Sequence, residues 1–288
     1  MRQLRKKPNY QDQPVVMVTT AEQRETRLAA LEAGATDFLR KPVEPVELRA
    51  RVHNLLALRN AQLALRDQKS WLEREVRRAT SDLEASERDV VHRLSRAIDF
   101  RDGNTGDHVT RMATICGLIA EEMGLGPSVA RLIATAAPLH DVGKIGVPDA
   151  ILQKPGRLDT AELGLMQTHV KIGESILSES NSPLLRCAAR IASSHHERWD
   201  GKGYPRGLAG DEIPMEGRIA AVADVFEALA SDRIYRPAWS LERARAFIVA
   251  GSGSHFDPSC VAAFETCFAS IAALMAVQPS VDAVSQAA

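Results

Sequence analysis

Between residues 55 and 95 the chain contains neither Gly nor Pro and is rich in Arg, Glu, Leu and Ala. Nothing in such a stretch breaks a helix and much of it favours one, so it predicts a single long helix. Leu58, Leu65, Leu72 and Ala79 recur every seven residues, and Val76, Leu83 and Val90 form an offset second row. That is a short coiled-coil-like seam, interrupted by Gln62 and Lys69. It predicts a parallel homodimer through this linker; the alternative is a surface helix packed on its own domain. The helix separates a short N-terminal piece from a much longer C-terminal one.

The N-terminal piece, residues 1–58, reads as strand, helix, strand, helix. PVVMVTT is a β-branched run suited to a buried parallel strand, and AEQRETRLAALEAG follows with helical spacing and a terminal Gly34. ATDFLRKP is a second strand, and residues 45–58 return to helical period. Two such units cannot cover both faces of a parallel sheet, so the piece reads as incomplete. PVVMVTT followed by GATDFLRKP resembles the second half of a response-regulator receiver domain. In that family a Thr or Ser ends the fourth strand and a Lys precedes a Pro after the fifth, which places Thr19 and Lys41. The family's phosphoacceptor Asp belongs to a first half that the residues before Val15 do not supply. The expectation is therefore a truncated α/β fragment that is not phosphorylated, the alternative being a small α/β cap.

Composition narrows the class. Apolar residues are 45% and charged residues 25%, ordinary for globular chains. With 36 Lys plus Arg against 37 Asp plus Glu, the net charge is -1, so no bulk field favours a nucleic acid polymer or an anionic membrane. Cys116, Cys187, Cys260 and Cys267 form no C-x-x-C pair and read as buried thiols of a reducing compartment. MRQLRKKPNY does not lead into an apolar segment, and IAALMAV at 271–277 is far too short to span a bilayer. A cytoplasmic protein with no membrane partner is expected.

From residue 91 to residue 271 the pattern is helical almost throughout, broken by loops such as KIGVPD and WDGKGYPRGLAGDEIP. The whole chain is thus expected to be mainly α. Residues 59–90 form the helical linker, 91–275 an all-helical catalytic domain and 276–288 a disordered tail. Inside the long domain the ionisable residues gather in pairs and at intervals. His108 follows RDGNTGD, His140 and Asp141 are adjacent, His169 lies in MQTHVKIG, His195 and His196 are adjacent, and Asp224 lies in AVADVFEAL. Imidazole suits Fe, Mn and Zn, and a carboxylate can bridge two ions through its two oxygens. Adjacent residues on a helix project about 100° apart and can serve different ions of one cluster. Five histidines and two aspartates exceed the needs of one ion, which points to at least two, with a water bridging them.

HDVGKIGVPD, ILQKPGRL, THVKIG, HHERWDGKGYP and ADVFEALASDRIYR occur in this order, ahead of GSGSHFDPSCVAAF. Together they resemble the HD-GYP family, a subgroup of the HD phosphohydrolases, with Gly203-Tyr204-Pro205 as the GYP triplet. The resemblance implies an all-α HD fold, a centre of two or three non-haem ions, usually Fe or Mn, and hydrolysis of cyclic di-GMP. The product would be linear pGpG, with GMP as a further product left open. On this reading His108, His140, Asp141 and Asp224 hold one ion, and Asp141 bridges to a second held by His169, His195 and His196. Asp141 and Lys144 are the expected catalytic residues, Lys144 also neutralising a phosphate oxygen. Tyr204, Glu227, Arg233 and Arg236 are the expected substrate contacts, through base stacking, guanine and phosphate. The family's GYP loop is also a contact surface for diguanylate cyclase (GGDEF) domains; the rival reading is a plain turn.

The chain departs from the family pattern at Asn104, where a Glu usually supports a third ion. A neutral amide is a poor ligand, so two divalent ions are expected. Glu227 stands where Asp is common and Arg236 where Lys is common. The alternative function is a signalling adaptor of low activity that binds a cyclic dinucleotide or a cyclase.

Overall fold

The computed structural model describes residues 1–7, 10, 13–20, 24–101, 107–232 and 237–276. It divides into two units, Met1–Leu83 and Glu84–Ala288.

The first unit holds α1 (Arg2–Arg5), β1 (Val16–Thr19), α2 (Arg24–Glu32) and β2 (Asp37–Arg40). The strands pair in parallel, Val16 opposite Asp37 through Thr19 opposite Arg40. Helix α2 ends as the sequence predicts. Gly34 takes φ +98, and the Ala35 N–H donates back to Ala30 C=O at 3.0 Å. Leu39 is buried with Ala30 and Ala35, whereas Val18, Leu28 and Leu31 stay exposed. A two-stranded sheet flanked by so little helix leaves apolar side chains uncovered. Thr19 ends β1 and accepts from the Lys41 N–H at 2.9 Å, so the two residues read from the receiver resemblance are neighbours.

Helix α3 runs unbroken from Pro45 to Arg101, 57 residues. The sequence separated a helix at 45–58 from a linker; the structure fuses them because no residue between interrupts the ladder. Its buried residues, Val91, Ser95, Ile98 and Asp99, lie in its last three turns. The seam residues Leu58, Leu65, Leu72, Val76, Leu83 and Val90 are all exposed.

The second unit continues with α4 (Asp107–Glu122), α5 (Pro127–Ala136), α6 (Asp149–Leu152), α7 (Thr160–Leu177), α8 (Pro183–Ala192) and α9 (Met215–Ala230). Helices α10 (Leu241–Ala250), α11 (Pro258–Thr266) and α12 (Phe268–Ala276) close it. Helix starts follow ordinary chemistry: Pro at the first turn of α5, α8 and α11, and a capping box between Asp159 and Glu162 on α7. One core joins them, with Met112, Ile115 and Ile119 of α4 packed among Ile133, Ile191, Ile219, Phe226 and Phe264. No single described helix is long and apolar enough to cross a membrane. The bent pair α11 and α12 passes that test only jointly, and its Phe264, Phe268 and Ile271 are buried in this core.

Candidate metal centre

Three helices and two turns deliver the metal-binding candidates. His108 stands in the first turn of α4, His169 in the middle of α7 and Asp224 in α9. The two adjacent pairs are not on α-helices, contrary to the reading from sequence. His140 caps a short 3-10 segment, Ala137–Leu139, and Asp141 begins the next, Val142–Gly146. His195 and His196 lie in the turn beyond α8. Close backbone packing brings these turns to the helices. A Cβ on Gly143 would stand 1.9 Å from the His169 carbonyl oxygen and 2.4 Å from the Gly173 nitrogen. A Cβ on Gly217, in α9, would stand 2.0 Å from Ser194 Oγ.

The result is two groups of ligand atoms, Asp141 with His169, His195 and His196, and His108 with His140 and Asp224. Within each group every atom lies within 4.8 Å of the others. Asp141 faces both: Oδ1 is 3.3 Å from His169 Nε2 and 3.8 Å from His195 Nε2, and Oδ2 is 3.2 Å from His140 Nε2. His140 Nε2 is 3.9 Å from Asp224 Oδ1. All seven residues that the sequence nominated as ligands therefore meet.

Whether this cradle suits a cation can be read from its hydrogen bonds. Nδ1 of His140 is 2.9 Å from the Ala137 carbonyl oxygen, and that of His169 is 2.7 Å from Met166's. His195 Nδ1 lies 3.1 Å from the Ile191 carbonyl oxygen. A carbonyl only accepts, so Nδ1 carries a proton and Nε2 is the nitrogen turned into the site. Those three Nε2 atoms and Asp141 Oδ1 are buried and have no hydrogen-bond partner. Four converging buried polar atoms without hydrogen-bond partners are costly in an empty protein and suit a divalent cation. His108 is oriented in the same manner, its Nδ1 bonded to the Glu227 carboxylate.

The charges agree with this arrangement. Burial alone would raise the Asp141 carboxyl, but Lys144, with Nζ 2.7 Å away, and His140 hold it well below the usual carboxylate range. Burial and the neighbouring His140 push His195 down to about 4, and burial with His195 pushes His196 well down, so both are neutral, as a metal ligand must be. His140 moves the other way. Burial lowers it, but Asp141 and Asp224 bring it up to about 9, a proton that a bound cation displaces.

The substrate candidates fare unequally. Glu227 is corrected: it is fully buried, with one oxygen on His108 and the other accepting from Arg111 and Ser231. Burial would raise its carboxyl, yet those partners pull it down to about 2. It orients His108 and has no surface left for a guanine. Tyr204 stacks on His196, ring centroids 4.7 Å apart, so one face of its ring braces a ligand and is closed to a base. Gly203 folds back so tightly that a Cβ would lie 2.4 Å from the Arg198 nitrogen. The buried Glu197, which sequence reasoning passed over, holds the GYP loop by accepting from the Arg206 and Leu208 backbone N–H groups. Asn104, Arg233 and Arg236 lie outside the described residues. Also missed were Asp99, whose Oδ2 is buried without a partner, and Arg101, both at the end of α3. Charged residues in an otherwise apolar helical stripe were the available signal.

A family model described as HD domain matches residues 53–260, and one described as response regulator receiver domain matches residues 1–53. The chain belongs to the HD-domain family and, by its motifs and relatives, to the HD-GYP subgroup, with receiver sequence at its N-terminal end. It is 46% identical over 260 residues to the cyclic di-GMP phosphodiesterase response regulator RpfG of Xanthomonas campestris, covering 90% of this chain and 69% of that one. It is 42% identical to a cyclic di-GMP phosphodiesterase of Thermotoga maritima, over 87% of this chain and 70% of the relative. A 3'3'-cGAMP-specific phosphodiesterase of Vibrio cholerae is 47% identical, over 62% of this chain and 34% of its own length.

Proposed function

We infer that the protein is a metal-dependent phosphodiesterase that hydrolyses cyclic di-GMP to linear pGpG in second-messenger signalling. The observation that carries this reading is the set of three buried imidazole Nε2 atoms, none with a hydrogen-bond partner, around the Asp141 carboxylate. His108, His140, Asp141 and Asp224 would hold one divalent ion, and Asp141, His169, His195 and His196 a second. Iron or manganese suits a donor set of imidazoles and carboxylates. When bound, the ions supply an activated water and neutralise charge on the phosphoryl oxygens.

The chain's own residues do the rest. Lys144 keeps its ammonium 2.7 Å from Asp141, mostly buried, where a phosphate oxygen beside the ions meets a positive charge. Glu227 and the three carbonyls turn Nε2 of His108, His140, His169 and His195 into the site. Tyr204 braces His196, and Glu197 holds the loop that carries Tyr204. Arg233 and Arg236 are the proposed phosphate and guanine contacts. The same loop is the proposed docking point for a diguanylate cyclase domain, and the exposed seam of α3 the proposed homodimer contact.

The Vibrio relative supports 3'3'-cGAMP as a second candidate substrate. Iron- or manganese-loaded protein should release pGpG from cyclic di-GMP, and Asp141→Ala should lose that activity at least about a hundredfold. Equal, negligible product from both would end the enzyme reading and leave a dinucleotide-binding adaptor. Faster turnover of 3'3'-cGAMP in the same assay would change the assigned substrate. Metal analysis of anaerobically prepared protein should find two ions per chain; three would overturn the two-ion assignment made on Asn104.

A further inference from the structure

Helix α3 ends on Arg101, and the guanidinium of that residue is surrounded by acceptors from a single stretch of chain. Nη1 donates to the carbonyls of Lys144 at 2.9 Å and Ile145 at 2.8 Å, Nη2 to that of Val147 at 2.6 Å, and Nε to Asp149 Oδ1 at 2.8 Å. In return Gln153 Nε2 donates to the Arg101 carbonyl at 3.1 Å. Lys144 and Ile145 lie at the end of the 3-10 segment Val142–Gly146 and Val147 directly follows it, where the backbone dipole is negative and a cation is favoured.

The same segment begins at Asp141 and carries Lys144. Its opposite side is already fixed, because Gly143 lies against the backbone of His169 and Gly173 with no room for a Cβ. The segment is thus held between α7 on one side and Arg101 on the other. One planar guanidinium reaches three carbonyls and a carboxylate, a geometry that a single ammonium cannot reproduce.

We propose that Arg101 is a positioning residue of the phosphodiesterase: by gripping the 144–147 carbonyls it sets where the Lys144 ammonium stands over the metal centre. The proposal rests on the assigned activity. Arg101 touches neither the ligand atoms nor, on this reading, the substrate; it acts through Lys144. Asp99, two residues earlier in α3, feels His108, His140 and Lys144, so this end of the helix belongs to the electrostatic surroundings of the site.

The test compares full-length wild type, Arg101→Ala, Arg101→Lys, Lys144→Ala and the double variant Arg101→Ala/Lys144→Ala, each loaded with manganese. Misplacing a catalytic group by about 1 Å costs up to about a hundredfold. Arg101→Ala should therefore lower kcat for cyclic di-GMP by about ten- to a hundredfold, with metal content unchanged and faster amide exchange in 142–147. Arg101→Lys, which keeps the charge and the fold, should recover only part of the rate. The double variant should be no slower than Lys144→Ala alone. Wild-type kcat in Arg101→Ala, losses that multiply in the double variant, or loss of metal would each overturn the proposal. An inactive wild type would instead defeat the assigned function, and the proposal with it.

Discussion

Three imidazoles present the same atom inwards because backbone carbonyls one turn back in the chain have taken the other. Ala137, Met166 and Ile191 each accept from an Nδ1, and that local choice creates the site. Glu227 does the same for His108 from across the fold. Cysteines show the opposite use of burial. It pushes the Cys187 and Cys260 thiols up to about 12 and Cys267 to about 11, and Cys116 rises as well. Thiolate is then scarce at neutral pH. A chromogenic disulfide reagent should therefore find almost no reactive thiol in the native protein and four after unfolding, with the partly exposed Cys267 first. Rapid native labelling of Cys116 would contradict its burial. Cys116, Cys187 and Cys260 are buried, as their apolar neighbourhoods predict, whereas Cys267 is only partly so. Glu227 was misread because its partners, His108 and Arg111, are remote in sequence.

At the scale of elements, the site depends on how close two backbones come. The segment Val142–Gly146 touches α7 at Gly143, and even one methyl group has no space there. Gly143→Ala should destabilise the protein by about 1–3 kcal/mol and reduce the metal bound. Gly164 lies in the same helix α7 with nothing within 4 Å of its would-be Cβ, so Gly164→Ala should stabilise by about 0.5–1 kcal/mol. Urea unfolding of the two variants separates these outcomes; equal effects would show that the close approach does not matter. Sequence reasoning assigned both His-containing pairs to helices, since each follows a helical run. The chain instead turns at His140 and beyond Ala192, because the paired residues must leave their helices to face α7 and α9.

For the whole molecule, the long helix carries an exposed row of apolar side chains. Leu65 is 67% exposed and Leu72 54%, in line with a seam that one chain leaves uncovered. If two copies pair along it, wild-type protein should sediment as a dimer and the double variant Leu65→Glu/Leu72→Glu as a monomer. Identical sedimentation of the two would reject the seam as the contact. The helical class, the unbroken middle of α3 between residues 55 and 95, the α2 stop at Gly34 and the seven ligand candidates were all readable from residue order. Each is a local pattern or a motif whose spacing carries its own chemistry. The burial of Glu227 against His108 and Arg111 and the grip of Arg101 on residues 144–149 were decided only by tertiary structure. Those features join segments that are far apart in the chain, and only packing of the helices brings their atoms within reach.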